Sequence, residues 1–120
     1  MLSEEQQTQI KQILIPILNP VFILVFGSYA LGCPRKNSDI DIAFFCEDKN
    51  LDAYEVFLLA GELADALKTD VDLVDLSQAT PVFQTQIFQT GKVIYCIDER
   101  KRVIEHAKAL RMYADLNEQR

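Results

Sequence analysis

The chain has 120 residues, 49% of them apolar and 25% charged, and carries a formal net charge of −6. That size reads as a single domain spanning 1–120, and the composition excludes a disordered chain. The acidic balance argues against direct nucleic-acid binding, because neutralising phosphates takes a surplus of Lys and Arg on one face.

The N-terminus opens with Glu4, Glu5, Gln6 and Gln7, where a secretion signal would place basic residues and then an apolar run. The longest apolar stretch, Val21 to Phe26, is far too short to span a bilayer. A cytoplasmic protein with no membrane partner is the expectation. Cys33, Cys46 and Cys96 show no paired spacing, so reduced thiols are expected, the last two as small buried residues ending apolar strands.

Ser3 followed by Gln6 forms a capping-box pattern that starts a helix near Glu4. Ile10, Ile13, Leu14, Ile17 and Leu18 give that helix one apolar face, and Pro16 is expected to kink or end it. Val21 to Phe26 is an unbroken β-prone run, which predicts a central strand covered on both faces. A polar segment, Gly27 to Ser38, follows. Asp39 to Phe45 then reads as a strand with an exposed start and a buried end.

Leu51 to Lys68 is an amphipathic helix carrying Val56, Leu59, Leu63 and Leu67. Asp70 to Leu76 alternates Asp with apolar residues, as a third strand. Thr80-Pro81 caps a helix running to about Thr90, Gly91 stops it, and Val93 to Ile97 forms a short strand. Asp98 caps a last helix from Glu99 to about Glu118, most of whose apolar residues are expected to pack on the sheet, with a protruding end as a further partner surface. Lone His106 and the basic residues Lys101, Arg102, Lys108 and Arg111 read as solvated. The alternation predicts an α+β (α/β layered) fold, a small mixed sheet with helices against it.

The chemistry concentrates at Gly27-Ser28, a ten-residue spacer, then Asp39-Ile40-Asp41. Side chains two apart on a strand share a face, roughly 7 Å apart at Cα, so both carboxylates can reach cations set about 3.5–4 Å apart. Mg²⁺ favours such oxygen ligands and leaves coordination places for phosphate. Gly27 permits a sharp turn and close ligand approach, and the Ser28 hydroxyl can donate to a phosphate oxygen. In Asp70-Val71-Asp72-Leu73-Val74-Asp75, one of the first two acids can complete a triad, with Asp72 favoured because Asp70 sits nearer the helix exit; Asp75 points the other way. An Asp-x-Asp alone is a chance-prone pattern. Strand, glycine turn, acidic pair and third acidic strand in this order are not.

These residues resemble the minimal nucleotidyltransferase family of the polymerase-β-like superfold, whose signature is Gly-Ser, a spacer of this length, then Asp-x-Asp. More narrowly, GSYALGCPRKNSDIDIAFF, VDLVDL and GKVIYCIDERKRVIEHAKALRMYADL are similar to MntA-type adenylyltransferase antitoxins that pair with HEPN-domain toxins. The resemblance implies Asp39, Asp41 and Asp72 as catalytic acids and ligands of two Mg²⁺ ions, with Gly27, Ser28 and Ser38 contacting the nucleotide. It further implies ATP as AMP donor and a tyrosine hydroxyl of a toxin RNase as acceptor. The family usually has Arg where this chain has Leu31; Arg35 and Lys36 lie in the same loop. Two rival readings are a small-molecule nucleotidyltransferase of the aminoglycoside type, and an antitoxin that acts by contact alone.

Overall fold

The computed structural model describes residues 2–27, 39–47 and 51–118. Its first helix, α1 (Glu4–Leu18), starts at the expected capping box: Gln6 N–H donates to Ser3 Oγ at 3.1 Å, and Ser3 N–H to Gln6 Oε1 at 3.0 Å. The helix runs through Pro16 and stops two residues later. The proline has no N–H to offer the Gln12 carbonyl, but Gln12 is exposed and water can serve there. Asn19 ends the helix in the left-handed region at φ 47°, its N–H donating to the Ile15 carbonyl at 2.9 Å.

Four strands follow: β1 (Phe22–Phe26), β2 (Ile40–Phe45), β3 (Val71–Asp75) and β4 (Lys92–Cys96), the last starting and ending one residue earlier than its sequence pattern implied. The sheet order is β3-β2-β1-β4. β1 runs antiparallel to both neighbours, while β2 and β3 are parallel. The parallel pair is joined by α2 (Ala53–Leu67), capped by Asp52, whose carboxylate accepts from Glu55 N–H at 2.8 Å.

Strand alternation sorts the core into two layers. Ile23, Val25, Ile40, Ile42, Phe44 and Leu73 point to α1 and α2, against Ile10, Leu14, Leu59 and Leu63. Phe22, Leu24, Phe26, Ala43 and Phe45 point to the other face, against Leu76 and Ile87. β1 is thus buried on both faces, as its continuous apolarity implied. The second face is covered by α3 (Pro81–Thr90), capped by Thr80 with proline at its start.

The last helix, α4 (Glu99–Glu118), departs from expectation. It packs chiefly on α3, and of its apolar residues Ala109 is buried whereas Val103, Ile104, Leu110, Met112, Tyr113 and Leu116 are exposed. An aromatic column links it to the sheet: Phe45 stacks on Phe22 at 5.2 Å, Phe22 meets Phe88 at 5.9 Å, and Phe88 stacks on His106 at 4.8 Å. His106 is therefore not solvated; its ring is half-buried and Nε2 is closed to solvent. Lys101 and Arg102 are half-buried as well, Lys101 lying 3.4 Å from both Glu47 and Glu105. Cys46 is buried as expected, whereas Cys96 is only half-buried. No described helix is long and apolar enough to cross a membrane.

Candidate active site

The parallel register of β2 and β3 sets Asp41 directly beside Asp72, and the antiparallel register of β1 and β2 sets Phe26 on Asp41's other side. Phe26, Asp41 and Asp72 form one row across the sheet, on the face that α3 covers lower down. Asp39 lies two residues before Asp41, exposed and on the same side by alternation. Of the two acids that opened the third strand, Asp72 is the one in register beside Asp41. Asp70 instead uses its carbonyl to accept from Ile40 N–H at 2.9 Å, ahead of the ladder.

Three carboxylates on neighbouring positions repel one another, and the middle one bears the cost. The Asp41 carboxyl is pushed from 3.8 up to about 6, first by burial, then by the charge of Asp72, then by that of Asp39. Among the described residues no three His, Cys, Asp or Glu side chains already enclose a single ion. The acids are neighbours that sense each other's charge. That donor set fits a divalent cation, since hard oxygen ligands with room for phosphate and water are what Mg²⁺ takes, and a cation would relieve the repulsion.

Gly27 turns the chain out of β1 at φ 73°. A Cβ there would collide with Asp41 Oδ2 and lie 3.1 Å from its Cγ, so the missing side chain is what admits the carboxylate beside the turn. Ser28 and Ser38, with Tyr29, Leu31, Cys33, Arg35 and Lys36, lie outside the described residues.

Two features escaped sequence reasoning. Phe83 of α3 packs edge-on with Phe26 at 5.8 Å, bordering the acidic row; the sequence reading placed it only within the helix that follows Thr80-Pro81. Asp75 is buried rather than merely turned away: its Oδ1 accepts from Ser77 N–H at 3.1 Å and Ser77 Oγ–H at 2.7 Å. The signal was Asp-x-Ser, a side chain able to bond two residues on.

Residues 8–100 match the family of polymerase beta nucleotidyltransferases. The chain belongs to that family. Within it, the chain is 39% identical over 106 residues to protein adenylyltransferase MntA of Shewanella oneidensis, covering 88% of this chain and 73% of that protein. A crystal structure of a toxin–antitoxin with AMP-PNP superposes with a TM-score of 0.85 at 35% identity, over 99% of this chain and 93% of that one. The structure of a tri-AMPylated Shewanella oneidensis HEPN toxin in complex with MNT antitoxin gives the same TM-score at 32% identity, over 99% and 92% of the two chains. The mixed four-stranded sheet is thus a nucleotidyltransferase fold.

Proposed function

We propose that this nucleotidyltransferase is a Mg²⁺-dependent protein adenylyltransferase of the cytoplasm. It acts as the antitoxin of a HEPN-domain toxin RNase, moving AMP from ATP to a tyrosine hydroxyl of that toxin and so silencing it. One observation carries the reading: Asp41 and Asp72 lie side by side in register, with Asp39 alongside and Gly27 giving the Asp41 carboxylate room beside the turn. The likeness to MntA and to an antitoxin in complex with an AMPylated toxin supplies the acceptor class.

Asp39, Asp41 and Asp72 would hold the cations, which when bound stabilise the attacking and leaving oxygens of an in-line displacement. The toxin's hydroxyl oxygen bonds to the α-phosphorus as the bond to the bridging oxygen breaks, releasing pyrophosphate. Asp72, exposed at the outer side of the row, would accept the hydroxyl proton. Gly27 keeps the turn free of side-chain bulk where the phosphates approach, with Ser28 and Ser38 as further nucleotide contacts.

The test is label transfer from α-labelled ATP to the cognate toxin with and without Mg²⁺. Omitting the metal, or introducing Asp39→Asn or Asp41→Asn, is expected to abolish transfer while the protein stays folded. Full transfer by Asp41→Asn would overturn the scheme. Intact neutralisation by the Asp39→Asn, Asp41→Asn double variant would instead establish an antitoxin acting by contact.

A further inference from the structure

Phe26 ends β1 as the register partner of Asp41. Partners in an antiparallel ladder share a face, with Cβ atoms about 4.5–5.5 Å apart. The Phe26 ring therefore borders Asp41 on one flank, while β3 sets Asp72 on the other. Phe26 is 8% exposed, and Asp41 beside it is half-buried. The central carboxylate of the row thus has an apolar ring on one side and an acid on the other.

That ring is itself braced. Phe83 meets it at 5.8 Å with the two planes 81° apart, an edge-to-face arrangement that aromatic pairs favour. Phe83 is anchored in turn, because its N–H donates to the Thr80 hydroxyl oxygen at 3.2 Å in the cap of α3. Two rings therefore tie the start of α3 to the acidic row. The Asp41 carboxylate lies against the Gly27 turn, the next residue along from Phe26. A short acid has three staggered positions about its first side-chain bond, and neighbours decide which of them is open.

From this arrangement we infer that Phe26, braced by Phe83, is a positioning residue for the cation site, an inference that rests on the Mg²⁺-dependent reading above. Its ring fills the space between β1 and α3 into which the Asp41 carboxylate would otherwise turn. The carboxylate is so kept at the Gly27 turn, ready to share an ion with Asp72 and Asp39. A ligand already held in its bound position loses less freedom when the ion arrives, and affinity gains accordingly. A role in core packing alone predicts something else. Phe22 lies on the same face of the same strand and is fully buried, so it would then be the equal of Phe26.

The test titrates the full chain with Mn²⁺, a paramagnetic substitute for Mg²⁺, in the presence of AMP-PNP. Bound ion is read by electron paramagnetic resonance in the wild type, Phe26→Leu, Phe83→Leu and Phe22→Leu, alongside each melting temperature. Phe26→Leu is expected to weaken ion binding about tenfold, as losing a residue that orients a metal ligand does, and to broaden the bound-ion spectrum. Phe83→Leu should weaken it in the same direction by less. Phe22→Leu should lower the melting temperature at least as much and leave ion affinity and spectrum unchanged. Wild-type affinity in Phe26→Leu, or an equal loss in Phe22→Leu, would overturn the inference. Should Phe26→Leu fail to fold, Phe83→Leu at its half-buried position decides, and unchanged ion affinity there overturns it as well. A wild-type chain that takes up no Mn²⁺ would sink the positioning role together with the cation reading. No turnover enters these titrations, so normal ion binding without AMP transfer to the toxin would refute the adenylyltransferase reading and leave the role of Phe26 standing.

Discussion

At Gly27 a side chain is excluded twice, by a φ of 73° and by the Asp41 carboxylate against the turn. Gly27→Ala is expected to cost about 1–2 kcal/mol for the left-handed backbone alone, visible as a lower melting temperature. Its effect on transfer should be larger, on the order of a hundredfold, because the new methyl displaces the central carboxylate. Asp41 itself gives the metal-free protein an unusual pH dependence. Its carboxyl holds a proton up to about pH 6 when folded but only to about 3.8 when unfolded, so between those values the folded state binds more protons. Stability without metal should therefore fall as pH rises through that window, by an amount reduced by solvent screening. Melting in EDTA across the window checks this: the wild type should lose stability with rising pH relative to Asp41→Asn, and parallel curves would refute it. Much of this was legible beforehand. Gly27, Asp39 and Asp41 are close in sequence and their spacing speaks for itself. The Gly27–Asp41 clash is a tertiary contact, and no local pattern encodes it.

At the scale of elements, the strands and helix starts were readable because their causes are local: a capping box at Ser3, Thr80-Pro81 before α3, unbroken apolarity in β1. The choice of Asp72 over Asp70 needed the β2–β3 register, which depends on how α2 returns the chain. The seating of α4 was not legible for a different reason. Val103, Ala107, Leu110 and Ala114 recur at helical spacing just as His106, Ala109 and Tyr113 do, so periodicity offers two faces and cannot say which packs. Packing against Phe88 decides it. Phe88→Ala, which breaks the column between Phe22 and His106, is expected to destabilise the protein by about 2 kcal/mol, less than for a fully buried ring because Phe88 is half-buried. Urea unfolding should show that loss, and limited proteolysis should cut α4 first.

At the scale of the molecule, the crowded carboxylates make the ligand-free state less stable than its fold allows. Mg²⁺ with a non-hydrolysable ATP analogue at about a hundred times Kd should add about 2.7 kcal/mol, a rise in melting temperature on the order of 10 °C. Asp41→Asn should show little of that rise; an equal rise in both proteins would place the nucleotide elsewhere. The parallel pairing of β2 and β3 has one more consequence, in the order of folding. Asp41 and Asp72 stand 31 positions apart (72 − 41), with all of α2 between them. Their pairing closes a long loop, so the entropy of closure is spent before the two acids meet. A chain still emerging from the ribosome past β2 and α2 would hold half a cation site and bind nucleotide poorly. Competence for transfer would come only when β3 docks, well after the Gly27 turn and the Asp39–Asp41 strand have been synthesised.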